Sequence, residues 1–316
     1  PVVFSALAIR PADGGRGDAD RPVTARVVEA PVPDPYFFLR KRQDGGDSLG
    51  GTGNGLSGSN YGLPRFGTGT FSARFPFATV RLDDPDLPVT AEILGWSPFL
   101  PGDENRSGLP VAALEYTFTN TGAAPLDLVY YFCSFNFMRR NDEARVRALE
   151  NGFVLDQPGD SADPSIQGAF CAAVDQAAFV DAAWFRGGWW DPLTMQWNAI
   201  SRGDFGNRRY SDPEKGGSPG GTLAVPFRLN PGESRTLRLR LSWYVPGSSV
   251  RIGKDPEPAE DGASCRCGSC GGAGSAGGHR PWYAGRFDGI DAVAGAWARE
   301  YDVLLAETRR FADCFF

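Results

Sequence analysis

Carboxylates in the segment GWSPFLPGDENRSGLPVAALEYTFTN, which starts at Gly95, are the first candidates for chemistry. Asp103 and Glu104 could act as a catalytic pair, but adjacent side chains diverge on an extended chain. Asp103, Asn105 and Ser107 alternate as oxygen ligands do in a calcium loop, although calcium takes six to eight ligands. After a Pro-Gly pair, such side chains typically cap or solvate a turn. We therefore expect this segment mainly to connect two strands.

Cysteines could provide a metal site. Cys265, Cys267 and Cys270 lie in CRCGSC, and His279 is the only histidine of the chain. These four residues could form a Cys3His zinc site, although structural zinc sites usually contain two separated ligand pairs. We favour a flexible Gly/Ser loop that carries thiols, with no metal or other cofactor. Such thiols favour a reducing compartment such as the cytoplasm. We expect buried thiols at the remaining cysteines, Cys133, Cys171 and Cys314.

A tryptophan-rich segment, WFRGGWWDPLTMQWNAIS, starts at Trp184. Exposed indole rings could stack on sugar rings, and packing in a core or a domain interface is the alternative. Adjacent residues of a strand point to opposite sides, so we expect one of Trp189 and Trp190 in the core. The other would cover a domain interface. Arg186, next to two glycines, could bind a carboxylate of a partner domain.

Composition narrows the classes of function. The chain has 316 residues, 41% of them hydrophobic, and a net charge of −6. Because Lys and Arg form no long cluster, we expect no binding to nucleic acid or to an anionic membrane. No apolar run approaches the roughly 20 residues of a transmembrane helix. The start, PVVFSALAIR, lacks Met and the pattern of a signal peptide, so we expect a piece of a longer protein.

Alternating hydrophobicity is the commonest pattern along the chain. In TLRLRLSWYVP, Leu237, Leu239, Leu241 and Trp243 share one face, which predicts a half-buried strand. TLAVPFRL precedes it and would be joined to it by a tight turn or a sheet-to-sheet crossing. ALEYTFTN and LDLVYYFCSF flank a turn-rich segment and predict a hairpin. Further strands are predicted in VTARVVEA, PYFFLRKR, ARFPFATVRL, VTAEILGW and AAVDQAAFVDAAWF. Short strands with frequent Gly and Pro predict a mainly β fold, an antiparallel β-sandwich.

Two long glycine-rich loops and a C-terminal helix complete the predicted organisation. The loops cover residues 43–60 and 254–278 and contain few apolar anchors. From residue 289 to 316, apolar residues such as Trp297, Tyr301 and Leu304 recur every three or four positions, which predicts an amphipathic helix. We therefore predict a β-sandwich domain at residues 1–288 and a linking helix at 289–316.

Four segments, in order along the chain, resemble the N-terminal domain of glycoside hydrolase family 116. They are SPFLPGDENRSGLPVAALEYTFTN, WFRGGWWDPLTMQWNAIS, LNPGESRTLRLRLSWYVP and WYAGRFDGIDAVAGAWAREYDVLLAETRRFADCFF. The family includes the non-lysosomal glucosylceramidase (bile acid β-glucosidase) and bacterial β-glucosidases. The resemblance implies a β-sandwich followed by an (α/α)6 barrel that carries a nucleophilic Glu and an acid/base Asp. Since this chain would stop where the barrel begins, no catalytic residue is carried over to it.

The resemblance implies that the barrel is the partner of this chain and that a β-glucoside is bound through it. Residues of the interface or the cleft wall would be Trp96, Asp103, Asn105, Arg186, Trp189 and Trp190. Retaining hydrolysis needs two carboxyls about 5 Å apart. Further carboxylates that could be considered are Glu92, Glu115, Asp181 and Asp191. Two alternatives stay open: a free-standing carbohydrate-binding or interaction module, and a small metal-binding protein built on the CRCGSC loop.

Overall fold

A computed structural model of the chain describes residues 3–12, 22–32, 62–160, 164–186, 191–209, 217–248 and 279–316. Both glycine-rich loops, 43–60 and 254–278, lie outside the described residues. The strand predicted in PYFFLRKR lies outside them as well.

The described residues form two antiparallel sheets, as predicted for a β-sandwich. In spatial order, the five-stranded sheet contains β11 (Phe179–Asp181), β12 (Gly220–Leu229), β7 (Leu126–Phe135), β1 (Val3–Pro11) and β2 (Thr24–Val27). The eight-stranded sheet contains β3 (Thr68–Arg74), β4 (Phe77–Asp83), β5 (Val89–Trp96), β6 (Val111–Asn120), β13 (Ser234–Tyr244), β10 (Gly168–Val174), β9 (Gly152–Gln157) and β8 (Arg145–Leu149).

Helical segments occupy the connections and the C-terminal end. They are α1 (Glu104–Ser107), α2 (Pro192–Ile200), α3 (Trp282–Arg286) and α4 (Ile290–Phe315), with a 3-10 turn at Pro164–Ile166. The amphipathic helix predicted at the C-terminal end is therefore confirmed, and it begins one residue after the expected position. Within the described residues, none of the helices combines the length and the apolar character needed to cross a bilayer.

The main core lies between the two sheets. Alternate residues of facing strands supply it, such as Leu128 and Tyr130 of β7 and Leu237 and Leu239 of β13, all of them buried. Period-two alternation places these side chains on one face of each strand. The sequence pattern was therefore sufficient to identify the inner face of the sandwich.

Parts of the outer faces of both sheets are also covered, which the strand pattern did not show. Helix α4 packs on the eight-stranded sheet and buries a second core there. Helix α2 and Trp184 pack on the five-stranded sheet and bury a third. The description of β13 as half-buried needs correction at its C-terminal end. There, Ser242 and Tyr244 are buried on the outer face, because α3 and α4 cover that end.

The hairpin predicted from β6 and β7 is wrong, since the two strands belong to different sheets. The turn-rich segment instead carries the chain from one sheet to the other. Strands β12 and β13 are also joined by a crossing between the two sheets. Of the two connections considered from the sequence, a tight turn and a sheet-to-sheet crossing, the structure has the crossing. Asn120 holds both crossings, because its buried side-chain amide donates to the carbonyls of Ala124 (2.9 Å) and Leu229 (3.2 Å).

Further strands differ from the sequence prediction. Strands β8 and β9 were not predicted, and AAVDQAAFVDAAWF, expected as one strand, contains the end of β10 and all of β11, which belong to different sheets. The segment ARFPFATVRL, expected as one strand, contains the end of β3, the turn of the β3–β4 hairpin and most of β4, with a cis peptide bond between Phe75 and Pro76 in the turn. Because Pro cannot donate a ladder hydrogen bond, the chain turns at this point. Strand β1 was not predicted, although it lies between β7 and β2 inside the five-stranded sheet. Its small residues, such as Ala6 and Ala8, conceal the strand pattern.

Candidate domain interface

The segment Ser97–Pro110 connects β5 to β6 and packs against α4. Asp103 is the N-cap of α1 and accepts hydrogen bonds from the backbone N–H of Arg106 (2.9 Å) and from its guanidinium. The same guanidinium donates to Glu307 of α4. Ser107 closes the loop, since its hydroxyl accepts from the N–H of Leu100 and donates to the Leu100 carbonyl. The segment thus shapes a turn and attaches it to the helix.

Arg106 also determines the ionisation of Asp103. The hydrogen bond from the Arg106 side chain is the largest cause that lowers the pKa of Asp103, followed by the hydrogen bond from the Arg106 backbone. Asp103 is therefore a carboxylate at neutral pH and has no proton to donate as a general acid. Glu104, its neighbour, lies in the first turn of α1.

The other carboxylates considered from the sequence make contacts within the domain. Glu92 accepts from Arg81 across two strands at 2.7 Å. Asp191 caps α2 by accepting from the N–H of Thr194 at 2.8 Å. Glu115 accepts from Tyr301 of α4 at 2.8 Å, and Asp181 forms an ion pair with Arg208. All four carboxylates are used in local or inter-element contacts.

Aromatic packing fixes α4 on the eight-stranded sheet. Trp96 lies with its ring centroid 5.2 Å from Trp297 and 5.2 Å from Tyr301. Trp297 is 1% exposed and Trp96 is 4% exposed. The ring of Trp96, expected at an interface or a cleft wall, therefore lies in the core beneath the linking helix.

A group of phenylalanines projects where α4 ends, and we call it the aromatic edge. Its rings come from the β3–β4 turn, the β5–β6 connection and the helix, and successive centroids lie 4.8–5.7 Å apart: Phe75, Phe99, Phe311, Phe315 and Phe316. Phe75 is 53%, Phe315 69% and Phe316 65% exposed. Phe311 is only half-buried, since it packs against Phe75 and Phe99.

Arg74 holds the end of α4 against the β3–β4 hairpin. Its guanidinium donates to the carbonyl of Ala312 (3.2 Å) and pairs with Asp313 (3.0 Å). It also lies 5.9 Å from the ring centroid of Phe316. A cation near the last helical carbonyls is favourable because the C-terminal end of a helix carries partial negative charge. Since the ion pair is exposed, it contributes little to stability.

The structure does not bring all predicted interface residues together. Asn105 is exposed in α1, and its carbonyl accepts from Arg286 of α3 at 2.9 Å, so it lies on the helix side with Trp96 and Asp103. Arg186 is exposed just after Trp184, whose ring covers the other sheet. Trp189 and Trp190 lie outside the described residues.

The predicted zinc ligands Cys265, Cys267 and Cys270 also lie outside the described residues. His279 is exposed, and its backbone pairs with that of Ser248. Within the described ranges, no group of three or more His, Cys, Asp or Glu side chains is arranged to hold a metal ion.

Sequence reasoning missed Phe75 and Phe99 as members of an exposed cluster. They lie 24 positions apart and more than 200 positions before Phe311, so no periodicity connects them. A Phe-Pro pair inside a predicted strand was the available signal, because Pro marks an edge or a turn.

The described residues thus form a β-sandwich with a long helix packed on one face and an exposed aromatic edge at the end of that helix. The sequence model of a protein family described as "beta-glucosidase 2, glycosyl-hydrolase family 116 N-term" matches residues 28–304. The chain belongs to this family, the N-terminal domain of glycoside hydrolase family 116. No curated protein matches the sequence.

Among solved structures, a protein titled as a polysaccharide lyase is similar over 77% of this chain and 26% of its own, with 15% sequence identity and a TM-score of 0.35. The chain thus spans about a quarter of the length of that protein.

Proposed function

We propose that this chain is the non-catalytic N-terminal β-sandwich of a retaining β-glucosidase of the glucosylceramidase type. The catalytic (α/α)6 domain would follow it and would hydrolyse terminal β-glucosides. Membership of the family supports this proposal, since the family is described by a β-glucosidase. The role of this chain would be to hold the catalytic domain and to form one wall of its substrate cleft.

The aromatic edge is the observation that carries the proposal. Phe315 and Phe316 are exposed at the end of a helix whose preceding turns are packed on the sandwich. Exposed aromatic rings next to each other are costly in water and are typical of the centre of a protein–protein contact. Within the aromatic edge, Phe75 of the hairpin lies beside Phe311 of the helix, so helix and hairpin would present one continuous apolar surface to the catalytic domain.

A first experiment tests the enzyme class. The reading frame downstream of Phe316 is determined, and the longer protein and residues 1–316 are both assayed with an aryl β-glucoside. We expect turnover, with retention at the anomeric carbon, only in the longer protein. Activity that stays with purified residues 1–316 would contradict the proposal. A reading frame without a further domain would favour the free-standing module.

A second experiment tests the docking surface in the longer protein. Phe315→Ser together with Phe316→Ser should separate the unfolding of the two domains, because the contact loses its apolar centre. Val303→Ser is the matched control, since Val303 is 57% exposed on the same helix and lies outside the aromatic edge. Scanning calorimetry measures both variants. Unchanged, coincident unfolding in the double variant would place the docking surface elsewhere.

A further inference from the structure

A second surface feature lies on the opposite side of the sandwich from α4. It is a cavity of about 360 Å³ between α2, the end of β11 and the segment 202–208, on the outer face of the five-stranded sheet, and we call it the α2 cavity. Its volume falls within the range of small-ligand sites, which starts at roughly 300 Å³. Nothing in the proposed docking function uses this cavity.

Exposed apolar side chains converge at the α2 cavity. Phe179, Phe185, Met195 and Phe205 all line it, and each is 38–40% exposed. The rings of Phe179 and Phe205 lie 4.5 Å apart at 48°. Two of these residues come from the β11 region, one from α2 and one from the following loop. Together they form an apolar, largely aromatic surface at the opening of the α2 cavity.

The positive and negative side chains that line the α2 cavity are equal in number, and ion pairs between them fix their orientation. Asp181, with a side chain 7% exposed, is held by Arg208 through two hydrogen bonds. Arg202 donates to Asp204 at 2.8 Å. Two arginines and two aspartates therefore give a lining without net charge. Gln196 lies beside Asp181 and adds an amide with both donor and acceptor capacity.

We propose that the α2 cavity binds one pyranose ring of a neutral saccharide. Each sugar hydroxyl both donates and accepts, so it suits a lining that contains both carboxylate acceptors and guanidinium donors. The C–H faces of a pyranose suit the phenylalanine rings. An anion would meet the buried Asp181 carboxylate, and a cation would meet two guanidinium groups, so a balanced lining disfavours both. The site would retain a glycoside near the enzyme without taking part in its hydrolysis.

The test uses residues 1–316 and saturation-transfer NMR with glucose and cellobiose as probes. Decoys are glucose 6-phosphate, glucosamine and cyclohexanol, which add a negative charge, add a positive charge or lack most hydroxyls. We expect saturable binding of the neutral sugars in the millimolar range. We expect weaker binding of all three decoys.

Phe205→Ser should weaken sugar binding by about tenfold, because an aromatic contact is lost. Met195→Lys should weaken it too, since a cation would project from α2 into the opening. Phe71→Ser is the control: Phe71 is 70% exposed in β3, in the other sheet.

The proposal is overturned if neither neutral sugar gives saturable binding to the folded chain. It is also overturned if any decoy binds as tightly as glucose, or if Phe205→Ser and Met195→Lys bind like the control. Because the α2 cavity and the aromatic edge lie on opposite faces, these results do not depend on whether the proposed docking is correct.

Discussion

Tyr301 of α4 donates a hydrogen bond to the carboxylate of Glu115 on β6, with 2.8 Å between the oxygens. The two residues are 186 positions apart, and both are buried. Burial is the largest cause that raises the pKa of Tyr301, so the hydroxyl keeps its proton and remains a donor. Arg238 lies 5.2 Å from the Tyr301 ring centroid on the same face. This contact sets the register of the linking helix on the sheet.

Tyr301→Phe should lower the free energy of unfolding by about 1–3 kcal/mol, because the buried Glu115 carboxylate would lose its hydroxyl donor. Urea unfolding of the purified chain measures the change. In a double-mutant cycle with Glu115→Gln, the double variant should lose less than the sum of the two single variants. Additive losses would show that the two side chains do not stabilise each other.

Trp297→Ala should lower the free energy of unfolding by about 3–5 kcal/mol, since a large ring would leave a cavity beneath α4. The ring is 1% exposed and packs on Trp96 and Tyr301. Val303→Ala, on the exposed side of the same helix, should stay within about 0.5 kcal/mol of the parent. If Trp297→Ala left the free energy of unfolding unchanged, the helix would not remain packed on the sheet in solution.

Asp103→Asn should lose stability at neutral pH, with the loss disappearing in acid. Because the hydrogen bond from Arg106 lowers the pKa of Asp103 below its ordinary value of 3.8, the folded state favours the carboxylate. This contribution is present above pH 3.8 and is lost as the pH falls through the lowered pKa of the folded chain. The free energies of unfolding of the parent chain and of Asp103→Asn, measured across this pH range, should become equal as the pH falls. Glu104→Gln, the exposed neighbour, is the control.

Cysteine reactivity should separate the three thiols that the structure describes. Cys133 and Cys171 are buried, which raises their pKa values to about 12 and about 11. Cys314 is exposed. In a variant with serine at positions 265, 267 and 270, thiol labelling at mildly alkaline pH should modify one cysteine rapidly and two more only in denaturant. Rapid labelling of a second cysteine in the native chain would contradict the burial of Cys133 or Cys171.

Deleting residues 255–278 should leave the fold intact. Ser248 and His279 already face each other through two backbone hydrogen bonds of 3.0 and 2.8 Å, so six remaining residues are enough to join them. Loop-closure entropy changes by only about 0.6 kcal/mol for each twofold change in length. Urea unfolding measures the variant, and metal analysis is done on the parent. A loss of several kcal/mol, or stoichiometric zinc, would support the Cys3His site.

Local patterns were sufficient for the elements whose side chains follow one period. Strand β5 was predicted at VTAEILGW and lies at Val89–Trp96. The buried stripe of α4 was predicted through Trp297, Tyr301 and Leu304, all of them buried. In α4 one continuous face packs on the eight-stranded sheet, so the hydrophobic period in the sequence directly reflects the packing.

Which strands become partners was decided only by the tertiary structure. The sequences of β6 and β7 read as a hairpin, yet each strand pairs with others far along the chain, such as β13 with β6 and β1 with β7. Turn residues are compatible with a hairpin and with a crossing between sheets alike. The buried amide of Asn120 distinguishes them, and its partners are visible only in the fold.

By itself, the sequence determined a β-sandwich with an amphipathic C-terminal helix and its family resemblance, because these depend on short-range periodicity and on contiguous motifs. The tertiary structure alone decided that Trp96 lies beneath the helix and that Phe75, Phe99 and Phe311 form one edge. It alone placed Asp181 and Phe205 at one cavity. Such groupings join residues from distant segments, and they depend on sheet order, which local interactions do not encode.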